Sequence, residues 1–494
     1  MSERHRVLLG TGYVLASTIA AIASSIAFRL VLVFFLGIAD YGVFVLAVSL
    51  LSLFALVSDL GFSSALPKFV AEQADEERRK DLIAVAAVAS GLTGLFTTLL
   101  LLAFAFPLGS SFGMPALPTV LVILSFQAPI SLAALTLLAA INGLRRMRLY
   151  SAIVVFMNVS SLAVVFFALA LGGGLVGAVT ATVASSAVHF VVLAFIARGH
   201  LPWRRIPRFW NQARTLLAFG IKMSATNWTS TVLYQVDVIL LAYFTRSSVL
   251  VAYYSIATLL GRILWIVPGS LSVVAYPAIS GYAKEGAQSR IAGLVSRGLR
   301  FSAGFVGMGV LVIVYFGPEI LRTLFGSAAL PAYAPLAILL IGMAPLGGTK
   351  SLASGISSVG RPDIGLKIAL AGLSISVTLN VLLIPVLGLP GAALATAIAY
   401  ATTSILLFHY IQRTLKVPLD RMWFLRLSAL VGVLALPGPF LASIATGVDW
   451  VRWTLGVASL GFLAFLLYAR FLAKEDTAFL KASLREAIRG PLPP

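Results

Sequence analysis

Long apolar stretches recur about 14 times along this chain of 494 residues, and the short gaps between them are alternately basic and nearly free of charge. With the N-terminus placed in the cytoplasm, the inside gaps hold 29 lysines and arginines. The opposite gaps hold Arg246, Arg322 and Arg452. Basic loops resist translocation across an energised membrane, so this asymmetry sets orientation. The pattern predicts a multi-pass membrane protein with both termini in the cytoplasm.

Composition agrees with this prediction, since 60% of the residues are hydrophobic and 11% are charged, far from soluble averages. A membrane-spanning helix needs about 20 apolar residues. The predicted spans therefore consume nearly all of the chain and leave no room for a soluble catalytic domain. They are 10–36, 42–66, 82–106, 117–140, 150–171, 175–197, 215–243, 249–276, 301–325, 332–356, 364–386, 390–411, 427–446 and 453–471.

Several other classes of function are disfavoured. The net charge of +19 is spread over eight inside gaps, which fits insertion and contact with anionic lipid better than a nucleic-acid partner. There is no cysteine, so disulfides and thiol chemistry are excluded. The four histidines have no metal-ligand spacing, and the outside gaps lack the paired carboxylates of a glycosyl-transfer enzyme.

An internal repeat predicts the organisation of the helices. The segment 174–182 (GLVGAVTAT) and the segment 388–396 (GLPGAALAT) agree at six of nine positions and each opens a span. Six spans separate them, so the two halves share one orientation, as in transporters with parallel repeats. The predicted fold is all-α, with two six-helix lobes at 1–205 and 206–415. Two extra helices and a cytoplasmic amphipathic tail follow at 416–494.

Two amphipathic stretches carry apolar residues on one helical face. Such helices are expected to lie in the membrane interface. The first contains Ile291, Leu294, Val295 and Leu299, and the second contains Leu472, Phe479, Leu480, Leu484 and Ile488.

Six charged residues lie inside predicted spans: Arg29, Asp59, Lys222, Asp237, Arg262 and Lys350. Each central charge costs about 2.5–3.5 kcal/mol if it faces lipid, so these residues are expected to face the protein interior or a water-filled cavity. Alternatives remain for some of them: Lys222 can snorkel to the interface, and Asp59 can cap a helix or pair locally. The arginines can also pair with Asp237 or Asp59. Four cations against two anions favour a substrate that carries phosphate or another acidic group.

Motifs at the start of the chain, together with two later ones, resemble those of a known family. Leu36-Gly37, Tyr41-Gly42, Asp59-Leu60-Gly61 and Ala65, the GLxGAxxAT repeat and Gly360-Arg361-Pro362 are similar to the polysaccharide-biosynthesis flippases of the multidrug/oligosaccharidyl-lipid/polysaccharide superfamily. The resemblance implies two lobes arranged as a V and transport by alternating access. The implied substrate is undecaprenyl-diphosphate-linked oligosaccharide, moved from the cytoplasmic to the periplasmic leaflet for O-antigen, capsule or exopolysaccharide synthesis.

The resemblance also implies site residues. Arg29 and Arg262 match cavity cations of the related lipid II flippases on the first and eighth spans, and Asp40 matches an acidic residue at the outer end of the first span. The second span has no basic residue, so Lys350 is expected to substitute. With Lys222 and Asp59, these complete the candidate substrate-binding set.

The relatives also have a sodium site, which Asp237, Ser376, Asn380 and Thr396 resemble. Asn380 replaces a second carboxylate, so the coupling ion is either sodium or a proton. No other cofactor or metal is expected.

Three alternatives stay open. A cation-coupled multidrug antiporter of the same superfamily should have an acidic or aromatic cavity, and a membrane glycosyltransferase or polymerase should have large outside loops. A non-transporting scaffold has no need of costly buried charges. The flippase interpretation predicts a monomer in the bacterial inner membrane. Its partners would be a polyprenyl-diphosphate-linked saccharide, the bilayer and the polymerase or export machinery, with no nucleic acid.

Overall fold

The computed structural model describes residues 3–200, 209–351, 362–415, 417, 419–443 and 449–467. Over these ranges the regular structure is helical, without strands, and every predicted span contains a helix. Within the described residues, nine helices are long and apolar enough to cross a membrane, or up to 11 when each of two bent pairs counts as one span. The all-α membrane fold is confirmed, while the number 14 stays a prediction.

The described residues form two compact units, one comprising 1–255 and 384–388 and the other 256–383 and 389–494. The predicted lobe boundaries stay predictions. The helices up to the middle of the chain are α1 Glu3–Asp59, α2 Phe62–Glu72, α3 Glu76–Phe112, α4 Leu117–Ser125, α5 Gln127–Gly143, α6 Met147–Ala170, α7 Gly174–Ala197, α8 Phe209–Thr245 and α9 Ser248–Ile263. The remaining helices are α10 Ile266–Lys284, α11 Gln288–Phe325, α12 Tyr333–Lys350, α13 Pro362–Leu387, α14 Leu389–Thr414, α15 Arg421–Ala435, α16 Pro437–Ser443 and α17 Asp449–Leu466.

The first two predicted spans are separated by a break in α1. Two helical segments meet at a kink at Gly37, inside the predicted gap, where the φ of 72° and ψ of 179° are not helical. A positive φ is readily adopted by glycine because it has no Cβ atom. The predicted gap is therefore a short break between two helical segments, and Asp40 follows it within one turn.

Two glycines bring α2 and α8 into backbone contact. Leu60 and Gly61 turn the chain from α1 into α2 with φ angles of 46° and 83°. A Cβ atom on Gly61 would lie 2.2 Å from the carbonyl oxygen of Gly220, and one on Gly220 would lie 2.6 Å from that of Gly61. Small residues permit this kind of close helix packing within membranes.

The stretch Ile291–Leu299, which is expected to lie in the membrane interface, packs its apolar face against other helices; its position relative to the membrane stays a prediction. The stretch forms the first turns of α11, and Ile291, Val295 and Leu299 are buried in a core cluster with Ile364 and Ile411. The apolar face meets other helices because α11 continues to Phe325 as one long packed helix. The second amphipathic stretch, at the C-terminus, lies outside the described residues.

Many large apolar side chains point away from the protein. Phe34, Val386 and Phe106 are 82%, 79% and 71% exposed. Exposed apolar surface on this scale is unfavourable in water but suits contact with lipid chains.

Candidate functional site

Arg29 lies among hydroxyl groups. Its Nη1 atom donates a hydrogen bond to the Ser255 hydroxyl at 3.3 Å, and the Tyr41 hydroxyl lies 3.3 Å from the same oxygen. Arg29 is half-buried, whereas Tyr41 and Ser255 are buried. These contacts with neutral groups orient the guanidinium without cancelling its charge.

Asp237 is completely buried in α8. Its Oδ2 atom accepts a hydrogen bond from the Tyr254 hydroxyl at 2.6 Å, and its Oδ1 atom accepts one from the Val238 amide at 2.8 Å. Tyr254 and Ser255 are consecutive in α9, so one short segment provides a hydroxyl to Asp237 and another to Arg29. Neither hydroxyl was predicted from the sequence.

The second unit brings two other predicted cations together. The Lys350 ammonium lies 4.4 Å from the centre of the Trp265 ring, a cation–π contact. The Arg262 carbonyl accepts a hydrogen bond from the Trp265 amide at 2.9 Å, so Arg262 lies one turn before the ring that Lys350 contacts. Lys350 is also in the last turn of α12, where the helix dipole favours positive charge. Two cations thus share one neighbourhood beside an aromatic ring.

Several contacts fix the position of the Trp265 ring, against which Lys350 packs. Trp265 lies at the break between α9 and α10, where the helix axis bends by 51°. Its Nε1 atom donates to the Met343 carbonyl at 2.9 Å, and its ring meets the Tyr400 ring at 5.5 Å. A Cβ atom on Gly347 would lie 2.8 Å from the ring, so this position must stay small. A tryptophan three residues after Arg262 was a signal that sequence reasoning missed.

Ser376, Asn380 and Thr396 are all buried in the second unit. The Asn380 amide nitrogen donates to the Ser376 carbonyl at 2.8 Å and lies 3.2 Å from the Ser376 hydroxyl. Its buried Oδ1 atom has no hydrogen-bond partner among the described residues. Hard cations prefer oxygen ligands, and this free acceptor fits such a role. No group of three acidic or histidine side chains suited to a metal occurs in the described part of the chain.

The other candidates differ in their surroundings. Asp59 is half-buried and accepts hydrogen bonds from the Ser63 hydroxyl at 3.2 and 3.3 Å, which agrees with the local alternative for this residue. Asp40 is exposed. The side chain of Lys222 lies outside the description.

A further ion pair was missed because Arg452 was assigned to an outside gap. The structure buries Arg452 in α17, where it is hydrogen-bonded to Glu319 of α11 and lies 2.8 Å from Asp449. Sequence position at the edge of a span gave no signal that this arginine turns inward.

Solved transporters share this fold. The structure of "Lipid II flippase MurJ, inward closed conformation" matches with a TM-score of 0.72 at 15% identity and covers 93% of this chain and 99% of that one. A mutant of the Vibrio cholerae MATE transporter VcmN matches with a TM-score of 0.60 at 16% identity, covering 83% of this chain and 97% of that one. The fold is therefore that of polytopic transporters of this architecture.

Residues 7–283 match the family described as "Polysaccharide biosynthesis protein". The chain belongs to this family. It is 27% identical over 250 residues to the uncharacterized membrane protein MJ1068 of Methanocaldococcus jannaschii, covering 50% of this chain and 49% of the relative.

Two further relatives come from Haloferax volcanii. The probable low-salt glycan biosynthesis flippase Agl15 is 26% identical, covering 35% of this chain and 37% of the relative. The probable flippase AglR is 25% identical, covering 34% and 36%. The chain thus spans about half or less of the length of these curated relatives.

Proposed function

We propose that the protein is a flippase for a lipid-linked saccharide. The observation that carries this proposal is the cationic neighbourhood formed by Lys350 and Arg262, together with Arg29 held by hydroxyl groups. Family membership and the printed names of Agl15 and AglR support it. Those relatives are named as flippases, which favours transport over enzymatic chemistry.

The proposed substrate is a polyprenyl diphosphate carrying an oligosaccharide, with undecaprenyl as the bacterial form. The guanidinium groups of Arg29 and Arg262 would bind the phosphate oxygens through paired, charge-assisted hydrogen bonds. Lys350 would add a point charge, with Lys222, Asp40 and Asp59 as further candidates. The polyprenyl tail would remain in lipid while alternating access carries the headgroup from the cytoplasmic to the periplasmic leaflet.

Asp237, Ser376, Asn380 and Thr396 are proposed to couple transport to sodium or protons. Their oxygen atoms suit a hard cation, and Asp237 is a completely buried carboxylate with a tyrosine donor. We place the protein in the bacterial inner membrane as a monomer with both termini in the cytoplasm. It would supply a polymerase or export system for O-antigen, capsule or exopolysaccharide.

Arginine substitutions test the proposal. In proteoliposomes with a fluorescent polyprenyl-diphosphate saccharide, Arg29→Ala and Arg262→Ala should abolish flipping. The Arg→Lys variants should retain part of it, because lysine keeps charge but loses the forked donor geometry. Arg78→Ala is the matched control, since Arg78 is exposed and only 3.5 Å from Asp75. Full flipping by both alanine variants at normal expression would refute the cationic site.

A cationic-dye export assay on the same variants separates this proposal from the multidrug alternative. The flippase hypothesis predicts no dye export by the wild-type protein. Dye export that survives both alanine substitutions would favour the antiporter.

A further inference from the structure

A second site of a different kind lies between α10 and α11. We call it the α10–α11 cleft; its volume is about 560 Å³, and its walls include Leu271, Ala275, Ile279 and Tyr282 of α10, Arg290, Arg297 and Phe301 of α11, and Ser351. The cleft lies within the second unit and contains none of the proposed substrate or coupling residues.

Two arginines line the α11 side of the cleft. Arg290 and Arg297 are seven residues apart on α11, a spacing that places them on one helical face. The Arg290 guanidinium lies 5.7 Å from the centre of the Tyr282 ring and 3.7 Å from Glu285. Both members of the Arg290–Glu285 pair are well exposed, so the carboxylate is a weak partner that an incoming anion can displace.

The rest of the cleft is mostly apolar. Leu271, Ala275 and Ile279 lie on one side and Phe301 on the other. Phe301 lies four residues after Arg297, about 6 Å along the helix axis, so a hydrocarbon chain from a phosphate at the arginines would run past Phe301 along the facing apolar side chains of α10. The cleft is therefore amphipathic along its length.

Ser351 gives an independent sign of a ligand. It lines the cleft and is 5% exposed, and the described residues offer its hydroxyl no hydrogen-bond partner. A buried hydroxyl without a partner is destabilising. A ligand oxygen in the cleft would provide that partner.

We propose that the α10–α11 cleft binds an anionic phospholipid, with the phosphate at Arg290 and Arg297 and an acyl chain along the apolar walls. Basic pockets between membrane helices on the cytoplasmic side suit anionic headgroups, and both arginines lie in a predicted cytoplasmic gap. A zwitterionic lipid would bring a positive headgroup toward the same arginines. This site is separate from the proposed transport function and does not depend on it.

The test measures binding of phosphatidylglycerol to the full-length purified protein by native mass spectrometry, with phosphatidylcholine as the competing lipid. Arg290→Gln and Arg297→Gln should each weaken phosphatidylglycerol binding about fivefold, given the contribution of a basic residue near an anionic surface. Glu285→Gln should strengthen it, because the phosphate then has no competitor for Arg290. Ser351→Ala should weaken it without affecting binding of phosphatidylcholine.

Arg78→Gln is the matched control, since Arg78 also has an exposed carboxylate partner but does not line the α10–α11 cleft. It should leave phosphatidylglycerol binding unchanged. Equal binding by wild type, Arg290→Gln and Arg297→Gln would overturn the proposal, and so would weaker binding by Glu285→Gln. Preferential binding of polyprenyl phosphate over phosphatidylglycerol at this cleft would also overturn it, because the site would then serve the substrate.

Discussion

Tyr254 donates a hydrogen bond of 2.6 Å to the Asp237 carboxylate, and both residues are completely buried. A hydrogen bond to a charged group is stronger than one between neutral groups. The tyrosine therefore fixes the orientation of the one carboxylate that the sequence assigns to ion coupling. This relationship gives the coupling proposal a second residue that can be varied.

Removing the tyrosine hydroxyl should impair coupling. We expect Asp237→Asn to abolish gradient-dependent flipping while the lipid-linked substrate still binds. Tyr254→Phe should raise the half-saturating ion concentration about tenfold, the scale of one hydrogen bond to a charged group. Proteoliposomes with an imposed sodium or proton gradient measure both effects.

Tyr315→Phe is the control for this series, because it also removes a buried hydroxyl donor, here 2.7 Å from the Leu434 carbonyl. Flipping by the wild-type protein without any gradient would leave Asp237 as a structural residue.

Asn380 offers a gain-of-function experiment. Asn380→Asp places a carboxylate where Oδ1 has no described partner, so flipping should become more dependent on sodium. Asn158→Asp is the matched control, since both amides donate at 2.8 Å to the carbonyl four residues earlier. Identical sodium dependence in wild type and Asn380→Asp would argue against a cation at this position.

Trp265 is predicted to position Lys350 for the substrate. Trp265→Leu should weaken binding of the lipid-linked saccharide about fivefold, the scale of one cation–π contact, whereas Trp265→Phe keeps a ring and should lose less. Gly347→Ala should also weaken binding of the saccharide, because the added methyl group would displace the Trp265 ring. Gly461→Ala has open space around it and serves as control. Equilibrium binding to purified protein distinguishes these outcomes.

Membrane orientation can be tested with single cysteines, because the chain has none of its own. Cysteine at Ser110 or Leu171 should react with an impermeant thiol reagent from the periplasm, and cysteine at Arg78 or Ser289 should not. All four positions are exposed. Gly173 is less suitable than Leu171, since a Cβ atom there would lie 2.7 Å from the Ala168 carbonyl oxygen. Reversed labelling at two sites would contradict the charge-based orientation.

The Arg452–Glu319 pair should stabilise the packing of α17 against α11. Arg452→Met leaves Glu319 without its partner. The free energy of unfolding should fall by about 3 kcal/mol, the scale for breaking a buried ion pair. The double variant Arg452→Met, Glu319→Gln should recover much of this loss, because it leaves no unpaired charge at this position. Thermal unfolding in detergent measures both. Equal stability of wild type and Arg452→Met would show that the pair contributes little.

The sequence predicted the membrane fold because hydropathy and loop charge are properties of the chain alone. It could not predict how helices meet. Arg452 was assigned to an outside gap and the Ile291–Leu299 face to the membrane interface, yet both pack against neighbouring helices.

Some residues of the candidate site could be predicted from the sequence, and others could not. The cost of a charge in lipid singled out Arg29, Asp237, Arg262 and Lys350. Tyr254, Ser255 and Trp265 carry no such penalty, so nothing in the sequence distinguished them from other polar and aromatic residues. Their roles follow from distances that only the folded chain provides.

The contact between Gly61 and Gly220 limits how α2 and α8 can move. No side chain lies between the two backbones, so no rotamer can adjust to fill a gap if the helices separate. Drawing α2 away from α8 at this point would therefore open a void, which disfavours any motion that separates the two backbones. An alanine at either position would push the two backbones apart. We expect it to change the rate of conformational exchange and to lower the stability of the protein.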